Sequence, residues 1–276
     1  MSDKIPVAGV IGMPISHSQS PKLHNYWLSR YQIPGHYVPL HIEQVDLAEV
    51  LQMMPKMGFV GANVTIPHKE AVLGLADIVT DRAALIGAAN TLIFRSDGKL
   101  HADNTDGYGF VENLRCNAEW DPKSGPAVVL GAGGAARAVI ASLLDVGVPE
   151  IRLANRTRTR SDALRAEFGT KISVVEWVNA GDMLKGARTV VNTTALGMKG
   201  QPELKIPFDH LSSDAVVTDI VYTPLRTAFL DRAAEKGCQT VDGLGMLLYQ
   251  AAPGFERWFG KRPEVDDATR QFILSS

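Results

Sequence analysis

AVVLGAGGAARAVIASLL, residues 127–144, decides how the chain is read. Four apolar residues run into a turn of the form G-x-G-x-x-A and leave it in a helix-like pattern. Gly131 permits a tight turn, Gly133 lets the backbone approach a pyrophosphate, and Ala136 allows a helix to pack closely on a strand. The start of that helix offers free N–H groups and a partial positive charge to phosphates. This strand, turn and helix predict a dinucleotide site.

The next strand selects the dinucleotide. An acidic residue about 20 positions onward holds the ribose 2′-hydroxyl of NAD, whereas a 2′-phosphate calls for arginine. Here EIRLANR ends on Arg156, within NRTRTR, and no carboxylate appears before Asp162. A guanidinium binds a phosphate through two hydrogen bonds, and an acid at this point would repel it. NADP is therefore the expected cofactor. Arg158, taken alone, reads as a solvated surface charge.

Outward from this stretch, short apolar runs alternate with longer amphipathic segments, as in βαβ units with mostly parallel sheets. VAGVIG, SPKLHNYWLSRYQ, HYVPLHI, VDLAEVLQMMPKM and FVGANVTI read as β-α-β-α-β. The polar patch HADNTDGYGF follows. A second β-α series runs from residue 127 to about 243, and the end of the chain is helical without a strand of its own. Those last helices need an apolar surface to cover, and the first lobe offers it. Residues 1–106 and 244–276 are thus expected to form an α/β substrate-binding and catalytic domain, with a Rossmann-type NADP-binding domain, 107–243, inserted between them.

Bulk properties narrow the partners. The 276 residues are 45% hydrophobic and 21% charged, as in ordinary globular proteins. A formal net charge of -2 gives no reason to expect nucleic acid or a membrane surface. Cys116 and Cys238 share no metal-ligand spacing, and the opening apolar run is broken by Pro6, Gly9, Gly12 and Pro14. A cytoplasmic protein, monomeric or homodimeric, with a small-molecule substrate is expected.

One motif remains, NVTIPHKEAV at 63–72. Lys69 in that place could hold a phosphate, form a Schiff base or move a proton. A nicotinamide cofactor favours the last, because hydride transfer to a ketone leaves an alkoxide that needs a proton. A carboxylate would orient the ammonium, and Asp103 or Asp106 in HADNTDGYG can supply it. Ser20, before Pro21, reads as a helix cap, and Asn63 as a turn residue satisfying backbone groups. His17, His24 and His68 read as packing or hydrogen-bonding residues.

Across nearly its whole length the sequence resembles the shikimate dehydrogenases. The resemblance is carried by GMPISHSQSPKLHN, NVTIPHK, GAANTL, DNTDGYGF, GAGGAARA with NRT, DIVYTPLRT and DGLGMLLYQA, in that order. It implies reversible reduction of 3-dehydroshikimate to shikimate with NADPH, in aromatic amino acid biosynthesis, with Lys69 and Asp106 as the catalytic pair. Ser16 and Ser18 would hold the substrate carboxylate, and Tyr222 would help enclose it. Thr65, Asn90 and Gln250 would bind ring hydroxyls, with Lys69 and Asp106 at the reacting end. For the cofactor, Gly131, Ala132, Gly133, Gly134 and Ala135 would cradle the pyrophosphate. Asn155, Arg156, Thr157 and Arg160 would surround the 2′-phosphate, and Thr193, Ile220, Gly243 and Met246 would lie along the nicotinamide. No metal is implied.

Three rivals share parts of the pattern. A quinate/shikimate dehydrogenase preferring NAD would carry an acid where Arg156 stands. A folate-linked dehydrogenase with a catalytic lysine would lack the SHS motif, and a non-catalytic NADP-binding sensor would have lost Lys69 or Asp106.

Overall fold

The computed structural model describes residues 5–275. Two compact units emerge, Met1–Thr105 with Leu248–Ser276, and Asp106–Leu247.

The first unit opens with β1 (Val7–Gly12), α1 (Ser20–Arg30), β2 (His36–His41), α2 (Leu47–Met53) and β3 (Phe59–Val64). It continues through β4 (Ile78–Val79), α3 (Asp81–Ile86), β5 (Thr91–Phe94) and β6 (Leu100–Asp103). The sheet order is β2-β1-β3-β5-β6-β4. β1 runs parallel to β2 and β3, whereas β5 is antiparallel to both β3 and β6. One face of this sheet packs Ile11, Ala62, Val64 and Leu92 with Leu47 and Leu51 of α2.

On α1, Leu23, His24, Trp27 and Leu28 are buried, the 3-4 spacing of one helix face. His24 lies flat on Tyr37, ring centroids 4.0 Å apart, with Trp27, Phe255 and Trp258 around it. Among the described residues neither ring nitrogen of His24 has a hydrogen-bond partner. Burial therefore drives its pKa down to about 3, against a smaller opposing effect of the Asn63 amide.

The second unit carries α4 (Asp106–Asn117), β7 (Ala127–Leu130), α5 (Gly134–Asp145), β8 (Ile151–Ala154), α6 (Arg158–Phe168), β9 (Ile172–Val175), β10 (Thr189–Asn192), β11 (Val216–Asp219), α7 (Ala228–Glu235) and β12 (Gln239–Val241). Its sheet, β12-β11-β10-β7-β8-β9, is parallel throughout. β7 is buried on both faces, Val128 and Leu130 in one apolar cluster, Ala127 and Val129 in another. That is why AVVL reads as an unbroken apolar run.

α8 (Leu244–Phe259) starts in the second unit and enters the first at Leu248, and α9 (Asp267–Leu274) follows. In the first unit Trp258 donates its indole N–H to Leu92 O at 3.0 Å, crossing β3 at Gly61. A Cβ on Gly61 would lie 2.0 Å from that indole nitrogen, so only glycine admits the contact. No helix among the described residues is long and apolar enough to cross a membrane.

Candidate active site

In open α/β sheets ligands collect beyond the carboxyl ends of parallel strands. β1 and β3 end side by side at Gly12 and Val64, and the two loops that follow are stitched together. Thr65 N–H donates to Ile11 O at 2.9 Å and Met13 N–H to Ile66 O at 3.0 Å. Gly12 is required here, because its Cβ would fall 2.5 Å from the Thr65 methyl. Ser16 is exposed and Ser18 half-buried on the first loop, while Thr65 and Lys69 are half-buried on the second.

Ser20 is not the cap of α1. It forms the first helical residue, and its N–H donates to Ser18 Oγ at 3.3 Å. Asn63 is not a turn residue either. It sits buried within β3, where Tyr37 donates its hydroxyl to Asn63 Oδ1 at 2.6 Å and Asn63 Nδ2 donates to Asn90 O at 3.0 Å.

Asn90 is the hub of this end of the unit. Its Oδ1 accepts from Thr105 N–H at 2.9 Å and from the Thr91 hydroxyl at 2.9 Å, leaving Nδ2 to donate to Gln250 Oε1 at 3.0 Å. Thr105 Oγ1 donates to Gln250 O at 2.8 Å. Ala89 N–H donates to Lys69 O at 2.8 Å, which fixes the lysine's backbone to the segment that carries Asn90 into β5. The first unit thus brings Thr65, Lys69, Asn90 and Gln250 to one rim.

The two candidate carboxylates for Lys69 separate here. Asp103 is buried and already committed: Arg82 binds both its oxygens, Thr80 Oγ1 donates at 2.8 Å, and Asn104 N–H donates at 2.7 Å. Arg257 lies 3.9 Å away. Burial pushes the Asp103 carboxyl up, but Arg82, Thr80 and the Asn104 N–H together hold it below the usual carboxylate range. Asp106 is half-buried and begins α4 in the second unit.

At the end of β7, Gly131 adopts φ +110°, and a Cβ there would strike Thr193 Oγ1 at 2.7 Å. Gly133 and Gly134 are exposed, with nothing within 4 Å of an added Cβ. Ala132 and Ala135 are half-buried, and Ala136 is fully buried in the core. α5 begins on this turn with Gly133 as its N-cap, so no capping side chain takes up its first N–H groups. At the end of β8, Asn155 Nδ2 donates to Thr157 O at 2.9 Å, and Thr157 heads α6 without using its hydroxyl as a cap. Arg156 and Arg160 are exposed beside it. Arg158 is exposed, in keeping with its reading as a surface charge, and pairs with Asp162 and Glu176. These surfaces fit a phosphorylated dinucleotide: open glycines, two unspent helix starts and exposed arginines.

Farther along the sheet, Thr193 Oγ1 donates to Leu130 O at 2.8 Å, seating it against Gly131. Gly243 packs on Ile220, whose carbonyl oxygen would lie 2.4 Å from a Cβ. Ile220 and Met246 line the same apolar cluster, and Tyr222 is 37% exposed. Sequence reasoning missed Tyr37, Arg82, Thr105, Asn192, Asp219 and Thr227. A polar residue closing an apolar strand-like run marks Asn192 and Asp219, and a threonine ahead of a helix-like run marks Thr227.

Together the open glycine turn on a parallel sheet and the lysine-bearing polar rim on a mixed one define a class, the nicotinamide-dependent oxidoreductases built from two α/β units. Residues 10–92 match the shikimate dehydrogenase substrate binding domain, residues 117–198 the shikimate / quinate 5-dehydrogenase family, and residues 243–271 the shikimate 5′-dehydrogenase C-terminal domain. The shikimate dehydrogenase (NADP(+)) of Cereibacter sphaeroides strain KD131 is 69% identical over 274 residues, 99% of this chain and 98% of that one. Among solved structures, shikimate 5-dehydrogenase from Thermus thermophilus with NADP(H) and shikimate superposes with a TM-score of 0.86 at 35% identity, covering 97% of this chain and 98% of that one. Quinate dehydrogenase from Corynebacterium glutamicum with NAD gives 0.91 at 30% identity, covering 99% and 100%. The chain belongs to the shikimate dehydrogenase family.

Proposed function

We propose that this protein reduces 3-dehydroshikimate reversibly to shikimate with NADPH, as a cytoplasmic enzyme of aromatic amino acid biosynthesis. The observation that carries the reading is the polar rim of Thr65, Lys69, Asn90 and Gln250, joined to the family relationship. The neutral hydrogen-bonding side chains of Thr65, Asn90 and Gln250 suit a small polyhydroxylated acid, and such a site rejects analogues that lack a hydroxyl. We assign Met1–Thr105 with Leu248–Ser276 to the substrate and Asp106–Leu247 to NADP.

Bound NADPH supplies a hydride to the ketone carbon. Lys69 delivers a proton from its ammonium to the ketone oxygen, so that C=O becomes CH–OH; in reverse it takes that proton back. Asp106 orients the ammonium. Ser16 and Ser18 hold the substrate carboxylate with their hydroxyls, beside Tyr222, while Thr65, Asn90 and Gln250 fix the ring hydroxyls. Gly131 through Ala135 present backbone N–H groups to the pyrophosphate, and Asn155, Arg156, Thr157 and Arg160 take the 2′-phosphate. Thr193, Ile220, Gly243 and Met246 flank the nicotinamide. Arg156 supports NADP over NAD, since nothing at the end of β8 offers a carboxylate to a free 2′-hydroxyl.

The test is nicotinamide absorbance with shikimate or quinate against NADP or NAD. Turnover mainly with shikimate and NADP is expected. Turnover mainly with quinate and NAD would reverse the cofactor and substrate assignments, and silence with all four pairs would leave a non-catalytic NADP-binding protein.

A further inference from the structure

Asp219 ends β11 directly opposite Asn192, which ends β10. It is fully buried, and its partners are neutral. Oδ1 accepts from Asn192 Nδ2 at 3.0 Å and from Val221 N–H at 2.9 Å, while Oδ2 accepts from the Thr227 hydroxyl at 2.8 Å. A carboxylate buried without a cation is costly unless hydrogen bonds repay it. Here three donors converge on it.

Each partner passes the constraint onward. Asn192 Oδ1 accepts from Thr194 N–H at 3.0 Å and from the Thr194 hydroxyl at 2.8 Å, and its Nδ2 donates a second time to Leu196 O at 3.1 Å. Thr227 caps α7 by accepting from Leu230 N–H. Asparagine could not replace the acid without loss. Its NH₂ would face a hydroxyl that already accepts from Leu230 and that needs an acceptor for its own hydrogen.

The two loops held in this way carry Thr193 on one side and Ile220 and Tyr222 on the other, with Gly243 seated on Ile220. The residues facing the 2′-phosphate stand at the end of β8, beyond β7 in the sheet order. We infer that Asp219 is a positioning residue for the nicotinamide end of the cofactor, holding the loops after β10 and β11 in register while leaving the adenosine end untouched. This inference rests on the function proposed above and adds to it a residue that touches neither cofactor nor substrate.

NADPH affinity, read from nicotinamide fluorescence, is compared with affinity for adenosine 2′,5′-bisphosphate, read by calorimetry, in wild type, Asp219→Asn and Asn192→Ala. The bisphosphate occupies only the adenosine end. NADPH binding is expected to weaken about tenfold in Asp219→Asn, the loss of one hydrogen bond to a charged group, with the bisphosphate within about twofold of wild type. Should Asp219→Asn fail to fold, Asn192→Ala, which cuts the same link from the other strand, reads the same ratio. Equal weakening of both ligands, or of neither, overturns the inference. If wild type binds neither ligand, the proposed function fails and this inference with it; if wild type binds both and the ratio is unchanged in the variants, the inference fails alone.

Discussion

Replacing His24 by Phe should change how stability depends on pH, more than stability itself. The imidazole is fully buried, stacked on Tyr37, and its pKa falls to about 3 from an ordinary 6.5. Below pH 6.5 the unfolded chain takes up a proton at this position and the folded chain does not. The stability His24 provides is thus complete above 6.5 and drains away as pH falls, until the folded value is reached. Each pH unit in that window costs about 1.4 kcal/mol, so roughly 2 kcal/mol has gone by about pH 5. Phenylalanine keeps the ring stack and removes the proton site. Urea unfolding of both proteins at about pH 7.5 and about pH 5 measures the difference, and the other histidines cancel because both chains carry them. The stability of wild type relative to His24→Phe should drop by roughly 2 kcal/mol between the two conditions. Parallel changes in the two proteins would show that His24 titrates normally and that its burial has been misread.

Four further substitutions have outcomes set by the geometry. Gly133→Ala should leave the unfolding midpoint unchanged, since its Cβ enters open space, yet weaken NADPH binding about tenfold or more by occupying the pyrophosphate surface; Gly131→Ala, at φ +110° and against Thr193, should lower the midpoint instead. Arg156→Ala should raise KM for NADP about tenfold while barely altering KM for NAD, as steady-state assays with both cofactors would show. Asp103→Asn should cost about 1–3 kcal/mol in urea unfolding. Because that carboxyl is held below its ordinary range, the stability it contributes is present above about pH 4 and lost as pH falls further, so the gap between the two proteins should narrow in acid.

What could be read from the sequence was what neighbouring residues decide. GAGGAAR announces its turn because Gly131 and Gly133 meet local backbone demands, and AVVL announces a strand covered on both faces. Pairing between distant segments left no such mark. Asn63 reads as a turn residue until Tyr37, 26 positions earlier, is found bonded to it inside the sheet. Asp103 and Asp106 look interchangeable until Arg82, 21 positions before, claims the first. Asp219 is one acid among many until Asn192 is seen 27 positions away. β5 and β6, four residues each, are too short for a clear period, and so the antiparallel part of the first sheet stayed hidden in GAANTL and HADN. Ser20 beside Pro21 carries the composition of a cap, but the helix already includes Ser20, and Gln19 stands at the cap position without a side-chain bond.

The proton step at Lys69 is the centre of the account, and the kinetics of Lys69→Ala test it most directly. Fluorescence titration with NADPH establishes that the variant retains its cofactor site, and kcat for NADPH oxidation by 3-dehydroshikimate is then compared with wild type. Intact NADPH binding is expected, with kcat reduced by roughly 10²–10⁴, the range for loss of a positioned acid. A kcat near that of wild type, with KM alone raised, would contradict the proton step and leave Lys69 as a binding residue only.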